Sequence, residues 1–447
     1  MTKYEKFLAD IQGKTIDIIG VGVSNRPLIK LLAQNGAKIR AFDKNENLDT
    51  SEFVGDGVEF VLGEDYLEKL GSEIIFRTPG LLPTNKYLQG KNTITSEMEV
   101  FFDICPCKII AVTGSDGKTT TTSIIYEILK NSGYTCHLGG NIGRPLLCDV
   151  PKMKETDICV VELSSFQLQS MKKCANVSVI TNITPNHLDM HTDYNEYIEA
   201  KKNVFLEQNK DDTLVINLDD EISKDFANQG KMIYFSEKRH EKNGVFIENG
   251  EILMNADGKC VSILKTEDIL IRGYHNVFNY MSAICAVYDM VKIENIVDVA
   301  KNFAGVEHRI EFVREYQGVL YYNDSIATSP TRAIAGLKAF DKKVIQIAGG
   351  YDKKLPFEPL APVISDTVKT LILVGATAEK IKKAVREVDT EIEIIMCDDF
   401  EKAVLKSREV AKKGDIVTLS PACAAFDLFP NFAVRGTLFK KIINDWS

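Results

Sequence analysis

The stretch with the most definite chemistry is Thr113-Gly114-Ser115-Asp116-Gly117-Lys118-Thr119-Thr120. Two glycines let a short loop curl so that its backbone N–H groups surround phosphate oxygens, Lys118 adds a mobile positive charge, and the Thr119 hydroxyl can ligate Mg²⁺. The loop is shorter than the usual pattern, with only Ser115 and Asp116 between its glycines. Its flanks supply the context such a loop needs: Lys108-Ile109-Ile110-Ala111-Val112 reads as a strand, and the residues after the loop read as a helix whose N-terminal dipole favours an anion. Together they predict a phosphate site, with ATP as the expected nucleotide. A second glycine pair, Gly20-x-Gly22-x-x-Asn25, says less. Asn25 replaces the glycine that lets helix and strand pack closely, so a turn without a ligand stands as the alternative reading.

These loops need parallel sheets to hold them, and the chain divides into three blocks that can supply them. Residues 1–106 open with the β-branched run Thr15–Ile19, the glycine turn, a helical pattern at Leu28, Ile29, Leu31 and Leu32, and a second strand over 37–42. Strand, turn, helix and strand make a βαβ unit, and Asp43 ends the second strand, where a Rossmann fold places a ribose-binding acid. Residues 107–306 carry the phosphate loop, buried-strand runs at 158–161 and 177–180, and a polar, turn-rich stretch at about 236–262 that reads as short hairpins. Residues 307–447 carry strands at 344–347, 371–374, 392–395 and 416–419, alternating with helical patterns. The predicted fold class is α/β with three domains: a Rossmann-like N-terminal domain, a central P-loop ATPase-like domain with a parallel sheet, and a Rossmann-like C-terminal domain.

Composition agrees with this outline and excludes other classes. A chain of 447 residues is too long for one ordinary core, and 45% hydrophobic with 26% charged residues suits a soluble protein. No apolar run reaches the roughly 18 residues of a membrane span, and Met1–Lys6 lacks the apolar stretch of a signal peptide. The ten cysteines look scattered; Cys105 and Cys107 are the one close pair, too tightly spaced for a zinc knuckle, so the thiols suit a reducing cytoplasm. A net charge of −9 argues against a nucleic-acid partner.

With the phosphate loop in place, further segments fall in an order that resembles the Mur ligases and folylpolyglutamate synthetases. They are Gly139-Gly140-Asn141-Ile142-Gly143, Glu162-Leu163-Ser164-Ser165-Phe166-Gln167-Leu168, and Thr181-Asn182-Ile183-Thr184-Pro185-Asn186-His187-Leu188-Asp189. Ala200-Lys201, His275-Asn276 with Asn279, His308-Arg309, Asn323-Asp324-Ser325 and the segment 419–427 follow, so the resemblance spans essentially the whole chain. The Rossmann-like first block and the third-block motifs resemble the branch that adds D-glutamate. The resemblance implies an ATP- and Mg²⁺-dependent ligase of peptidoglycan precursor synthesis, with UDP-N-acetylmuramoyl-L-alanine and D-glutamate as substrates and a monomeric state.

What the resemblance implies for single residues follows. The γ-phosphoryl group of ATP passes to a carboxylate, and an amine displaces phosphate from the resulting acyl phosphate. Gly114, Ser115, Asp116, Gly117, Lys118, Thr119 and Thr120 would hold the phosphates, with Thr119 and Glu162 serving one Mg²⁺ and His187 a second. Lys201, alone a solvated helix lysine, would carry a carbamate and ligate metal beside His187. Asn141 would touch the muramoyl substrate, while Asn276, Asn279, Arg309 and Asp324 would hold adenine and ribose. Val23, Ser24, Asp43 and the turn Thr78-Pro79-Gly80 would bind the uridine end, although turns favour such residues without a ligand. For D-glutamate, Ile326 stands where the family places a lysine, so Lys353 or Lys354 would supply the missing cation, with Ser420 and Phe426 lining the pocket. Rival readings are another amide ligase of the superfamily, an NAD-dependent dehydrogenase built on Gly20-x-Gly22, and a catalytically dead scaffold.

Overall fold

A computed structural model describes residues 1–22, 24–91, 93–185 and 191–447. The first sheet is formed by β1 (Thr15–Ile19), β2 (Lys38–Asp43), β3 (Glu59–Leu62), β4 (Ile74–Phe76) and β5 (Thr93–Thr95), all parallel, in the order β3-β2-β1-β4-β5. Past its first residue β1 is buried throughout, as expected of a central parallel strand covered on both faces. Its one polar member, Asp17, is fully buried but satisfied: it accepts the N–H groups of Gly71 and Ser72 and the Ser72 hydroxyl. Strand order reverses at β1, so a crevice opens between the C-terminal ends of β1 and β4, where open α/β sheets bind ligands.

The second sheet contains β6 (Lys108–Thr113), β7 (Cys136–Gly140), β8 (Ile158–Glu162), β9 (Val177–Ile180), β10 (Thr213–Asn217), β11 (Lys231–Ser236), β12 (Gly244–Glu248), β13 (Glu251–Ala256) and β14 (Lys259–Lys265). Its order is β14-β13-β12-β11-β10-β9-β6-β8-β7. The strands are parallel up to β12, and β12-β13-β14 form an antiparallel meander where hairpins were expected. β6 lies between β9 and β8, so the segments leaving these three strands meet at one sheet edge.

The third sheet, ordered β15-β16-β20-β17-β18-β19, contains β15 (Glu311–Tyr316), β16 (Val319–Asn323), β17 (Val344–Ala348), β18 (Val368–Leu373), β19 (Glu393–Met396) and β20 (Ile416–Leu419). All its pairings are parallel except β15 with β16. β18 begins three residues before the expected strand, because the helix Ala361–Thr367 runs into it without a loop. The described chain forms two compact units: Met1–Asp268 with Val277–Val299, and Ile269–Asn276 with Ala300–Ser447. Among the described residues, no helix is long and apolar enough to cross a membrane.

Candidate active site

At the C-terminal edge of β6 the backbone passes through Gly114–Gly117 into the helix Lys118–Asn131. Gly117 caps that helix with φ 77° and no side chain caps it, leaving the first-turn N–H groups available to an anion. Both glycines are required sterically. A Cβ at Gly114 would lie 2.0 Å from Thr181 Oγ1, and one at Gly117 would lie 2.3 Å from Asn279 Oδ1. The short loop is braced by the residues that leave β9. Thr181 Oγ1 donates to the Asp116 carbonyl (2.6 Å), Asn182 Nδ2 donates to the same oxygen (3.1 Å), and Asn182 Oδ1 accepts from the Asp116 N–H (2.9 Å). Ser115 Oγ donates to the Thr184 carbonyl and sits 2.7 Å from the Tyr197 hydroxyl. Lys118 Nζ donates to the carbonyls of Ser115 (2.8 Å) and Gly114 (3.1 Å), which holds its charge over the loop. Thr119 and Thr120 follow, half-buried, in the first helical turn.

Lys201 reaches the same loop from beneath. It lies on the helix Tyr194–Lys202 with 1% exposure, which rules out the solvated helix lysine that its position suggests. Its Nζ donates to the Gly114 carbonyl at 2.7 Å and lies 4.6 Å from the Tyr197 ring centroid. Burial first, and then the Lys118 charge, hold the Lys201 amine well below the ordinary lysine range. Glu162, at the end of β8, is also 1% exposed. Its Oε1 accepts from the exposed Asn141 Nδ2 at 2.7 Å, while its Oε2 is buried with no hydrogen-bond partner among the described residues. A carboxylate oxygen in that state suits a hard cation. His187 and Val23 lie outside the described residues.

The first-sheet candidates gather at the crevice. Asp43 accepts the Val21 N–H through Oδ2 (2.8 Å) and the Asn45 N–H through Oδ1 (2.9 Å), so it shapes the turn after β1. Gly20, at φ 83°, leaves only 3.1 Å between an added Cβ and Thr78 Cβ, which brings the two turns together. Thr78 and Pro79 are half-buried, and Gly80 and Ser24 are exposed. Asn25 donates to the carbonyls of Ile19 and Gly20, holding the turn that a third glycine would leave looser.

In the second unit, Asp324 follows β16 and Ser420 follows β20, and Ser420 Oγ donates to Asp324 Oδ2 at 3.0 Å. Residues read as serving different ligands, nucleotide and D-glutamate, therefore touch. Burial raises the Asp324 carboxyl to about 7, against the pull of Arg309 and Arg332. Arg309 is exposed, and Asn276, in the same unit, donates to the Arg272 carbonyl at 2.5 Å. Asn279 belongs to the first unit, against Gly117. Lys353 and Lys354 are both exposed beyond β17, Lys354 at φ 59°. Phe426 is 62% exposed, edge-on to Tyr351.

Sequence reading missed several residues. The sequence places Thr181 and Asn182 in a motif but gives no sign that they brace the loop. Arg435 is 3% exposed and donates to Ser325 Oγ and to the carbonyls of Ser325, Cys423 and Ala424, tying the segments after β16 and β20 together. Arg332 Nη1 lies 3.4 Å from the Ile326 carbonyl, which places a cation beside that residue. An arginine within a helical pattern gives no sequence signal for either role.

Comparison with known proteins adds to this geometry. Residues 112–287 match the Mur ligase middle domain, and residues 308–423 match the Mur ligase glutamate ligase domain. The chain is 49% identical to a UDP-N-acetylmuramoylalanine–D-glutamate ligase of Acetivibrio thermocellus, with 99% of each chain covered. It is 47% identical to the protein of that name from Ruminiclostridium cellulolyticum, again over 99% of both. Among solved structures it resembles the UDP-N-acetylmuramate-alanine ligase of Thermotoga maritima, with a TM-score of 0.57 at 16% identity, covering 96% of this chain and 99% of that one. A pseudomurein peptide ligase type C from Methanothermus fervidus gives 0.53 at 20% identity over the same shares. At such identities the two structures bear on the fold alone.

Proposed function

This chain belongs to the Mur ligase family, and we propose that it joins D-glutamate to UDP-N-acetylmuramoyl-L-alanine at the expense of ATP, in the synthesis of peptidoglycan precursors. The full-length likeness to ligases of that name supports the choice of substrates. The observation that carries the chemistry is the meeting of an uncapped helix N-terminus, the Lys118 ammonium and the buried Lys201 amine on one four-residue loop.

In this reading the acceptor's carboxylate oxygen attacks the γ-phosphorus of ATP and ADP leaves, giving an acyl phosphate. The D-glutamate nitrogen then attacks the acyl carbon, and the tetrahedral intermediate collapses by expelling phosphate. Phosphoryl transfer asks the protein mainly for positioning and charge neutralisation. The first-turn N–H groups of residues 117–120 hold phosphate oxygens, and Lys118 leaves its loop carbonyls to follow the charge onto the transferred group. Mg²⁺, when bound, neutralises phosphate charge; Thr119, Glu162, His187 and Lys201 would hold it, and the unpartnered Glu162 Oε2 fits that role. Lys201 serves as a carbamate: its neutral amine forms an N–C bond to CO₂ and releases a proton, turning a cation into an anionic oxygen donor. Asn141 orients Glu162 and meets the acceptor. Asn276, Asn279, Arg309 and Asp324 serve the adenosine, and the crevice residues Val23, Ser24, Asp43 and Thr78–Gly80 serve the uridine end. Ser420, Phe426 and one of Lys353 and Lys354 serve D-glutamate. The functional division at 1–106, 107–306 and 307–447, a monomeric state and a cytoplasmic location belong to the same proposal.

The test is phosphate release from ATP with UDP-N-acetylmuramoyl-L-alanine and a panel of amino acids. Release is expected only when both the nucleotide-sugar and D-glutamate are present. Equal or faster turnover with L-glutamate, L-alanine or a diamino acid would overturn the assignment.

A further inference from the structure

Far along the strands from the phosphate loop, three thiols converge that the sequence presents as scattered. Cys105 and Cys107 lie between the helix Glu97–Ile104 and β6, and Cys159 lies on β8, where it pairs with Ile109 of β6. Parallel pairing places residues 107 and 159 diagonally on one face of the sheet. The Sγ atoms are 3.2 Å apart for Cys107 and Cys159, 3.5 Å for Cys105 and Cys107, and 3.7 Å for Cys105 and Cys159. All three residues are buried, and all are free thiols. A fourth sulfur, Met153 Sδ, lies 3.8 Å from Cys159 Sγ. Cys105 and Met153 also line an open groove of about 540 Å³, walled by Tyr4, Ile104, Pro106 and Val150, which gives an ion a way in.

We propose that Cys105, Cys107 and Cys159 form a binding site for a soft, thiophilic cation of the monovalent-copper class. Among the described residues no other grouping of metal-ligating side chains is as close: the three ligand atoms all lie within 4.8 Å of one another and none is oxygen or nitrogen. Thiolate and thioether donors select soft ions, whereas Mg²⁺ requires oxygen. The geometry is near what is needed. With metal–sulfur bonds of about 2.3 Å, a three-sulfur shell has sulfur–sulfur separations of roughly 3.8–4.0 Å, so the Cys107–Cys159 pair must open by about 0.6–0.8 Å and the other two pairs by at most about half an ångström. Binding replaces each coordinating S–H proton with a metal–sulfur bond, and the protons leave to solvent. No electron is transferred.

The experiment uses the full chain, reduced and metal-free, under argon. Copper(I) is titrated in competition with a chromogenic copper(I) chelator, and X-ray absorption reads the shell of the bound ion. One copper per chain bound against the chelator, with a shell of sulfur alone, is expected. Loss of an outer-sphere partner already weakens metal sites by about 10–100-fold, so Cys107→Ala or Cys159→Ala should weaken retention by about 100-fold or more, while Cys260→Ala, at an exposed thiol, should leave it unchanged. Less than one copper per wild-type chain, a shell containing nitrogen or oxygen, or undiminished retention in Cys159→Ala would overturn the proposal. The wild-type arm decides the matter even if a variant fails to fold.

Discussion

Replacing Lys201 by methionine separates its chemical role from its structural one. In the folded chain the amine makes one good hydrogen bond, 2.7 Å to the Gly114 carbonyl, and a marginal one, 3.5 Å to Thr113 Oγ1. A net hydrogen bond contributes about 0.5–1.5 kcal/mol. Against this stands the desolvation of an amine with 1% exposure, which methionine removes while keeping a stem of similar length. The two effects are of similar size and opposite sign, so Lys201→Met should change stability by no more than about 1.5 kcal/mol, a Tm shift of a few degrees. Activity should respond quite differently. On the proposed carbamate, losing an anionic ligand forfeits at least a charge-assisted interaction of about 1.5–3 kcal/mol, or roughly 10–100-fold in turnover, and more where that ligand orders the phosphates. Phosphate release measures the loss, and thermal denaturation measures the stability. Lys201→Ala, which leaves space at the ligand position, should regain part of its activity with formate or acetate. Wild-type enzyme in CO₂-free buffer should lose activity and recover it with bicarbonate. Full turnover in the methionine variant would refute the reasoning. So would a collapse of its folding transition, which would make Lys201 a tether for the loop.

Two further outcomes follow from the second unit. Burial raises the Asp324 carboxyl from its ordinary 3.8 to about 7, so the folded state holds this proton more tightly than the unfolded chain does. The associated stability, about 4 kcal/mol, is fully present below pH 3.8 and is lost as pH rises to about 7; Asp324→Asn should flatten that part of the denaturation profile, and an unchanged slope would contradict the assignment. For D-glutamate, Lys353→Ala or Lys354→Ala should raise its KM about 10–100-fold with ATP affinity intact. If neither does and Arg332→Ala does, the cation that compensates for Ile326 is the guanidinium at 3.4 Å from its carbonyl.

The elements most legible in the sequence were those whose signal is local. β-branched apolar runs mark β1, β6, β8 and β9, glycine turns follow the first two, and the strand–loop–helix order marks the phosphate loop. Burial of a polar group was not legible. Lys201 counts as polar in any periodicity, and only the fold shows that Tyr197, Ala200 and Lys201 share the inward face of their helix. Nor were contacts set by strand order. The bracing of Asp116 by Asn182 spans 66 residues, and the approach of Cys159 to Cys107 spans 52, because β6 pairs with both β9 and β8. Phe426 marks the opposite limit, an apolar residue left 62% exposed, since no pattern distinguishes a packed aromatic from one displayed at the surface. The segment Ile269–Asn276 groups with the second unit although the chain around it belongs to the first, so the units interleave in sequence.

Arg77, 1% exposed at the end of β4, donates to the carbonyls of Thr78 and Leu81 on one side and to the Phe166 carbonyl and Ser170 Oγ on the other. Glu97 adds a second tie by accepting the Leu147 N–H at 2.8 Å. The turn beside the β1–β4 crevice is thus riveted to the segment that leaves Glu162, within one compact unit. On the proposed reading, the uridine end of the acceptor rests at one of these points and its carboxylate at the other. The two points then act as the jaws of a caliper set to one span. An acceptor is measured by its length before its chemistry is tested, and a muramoyl nucleotide that is one amino acid too short or too long brings the wrong atom to the phosphate.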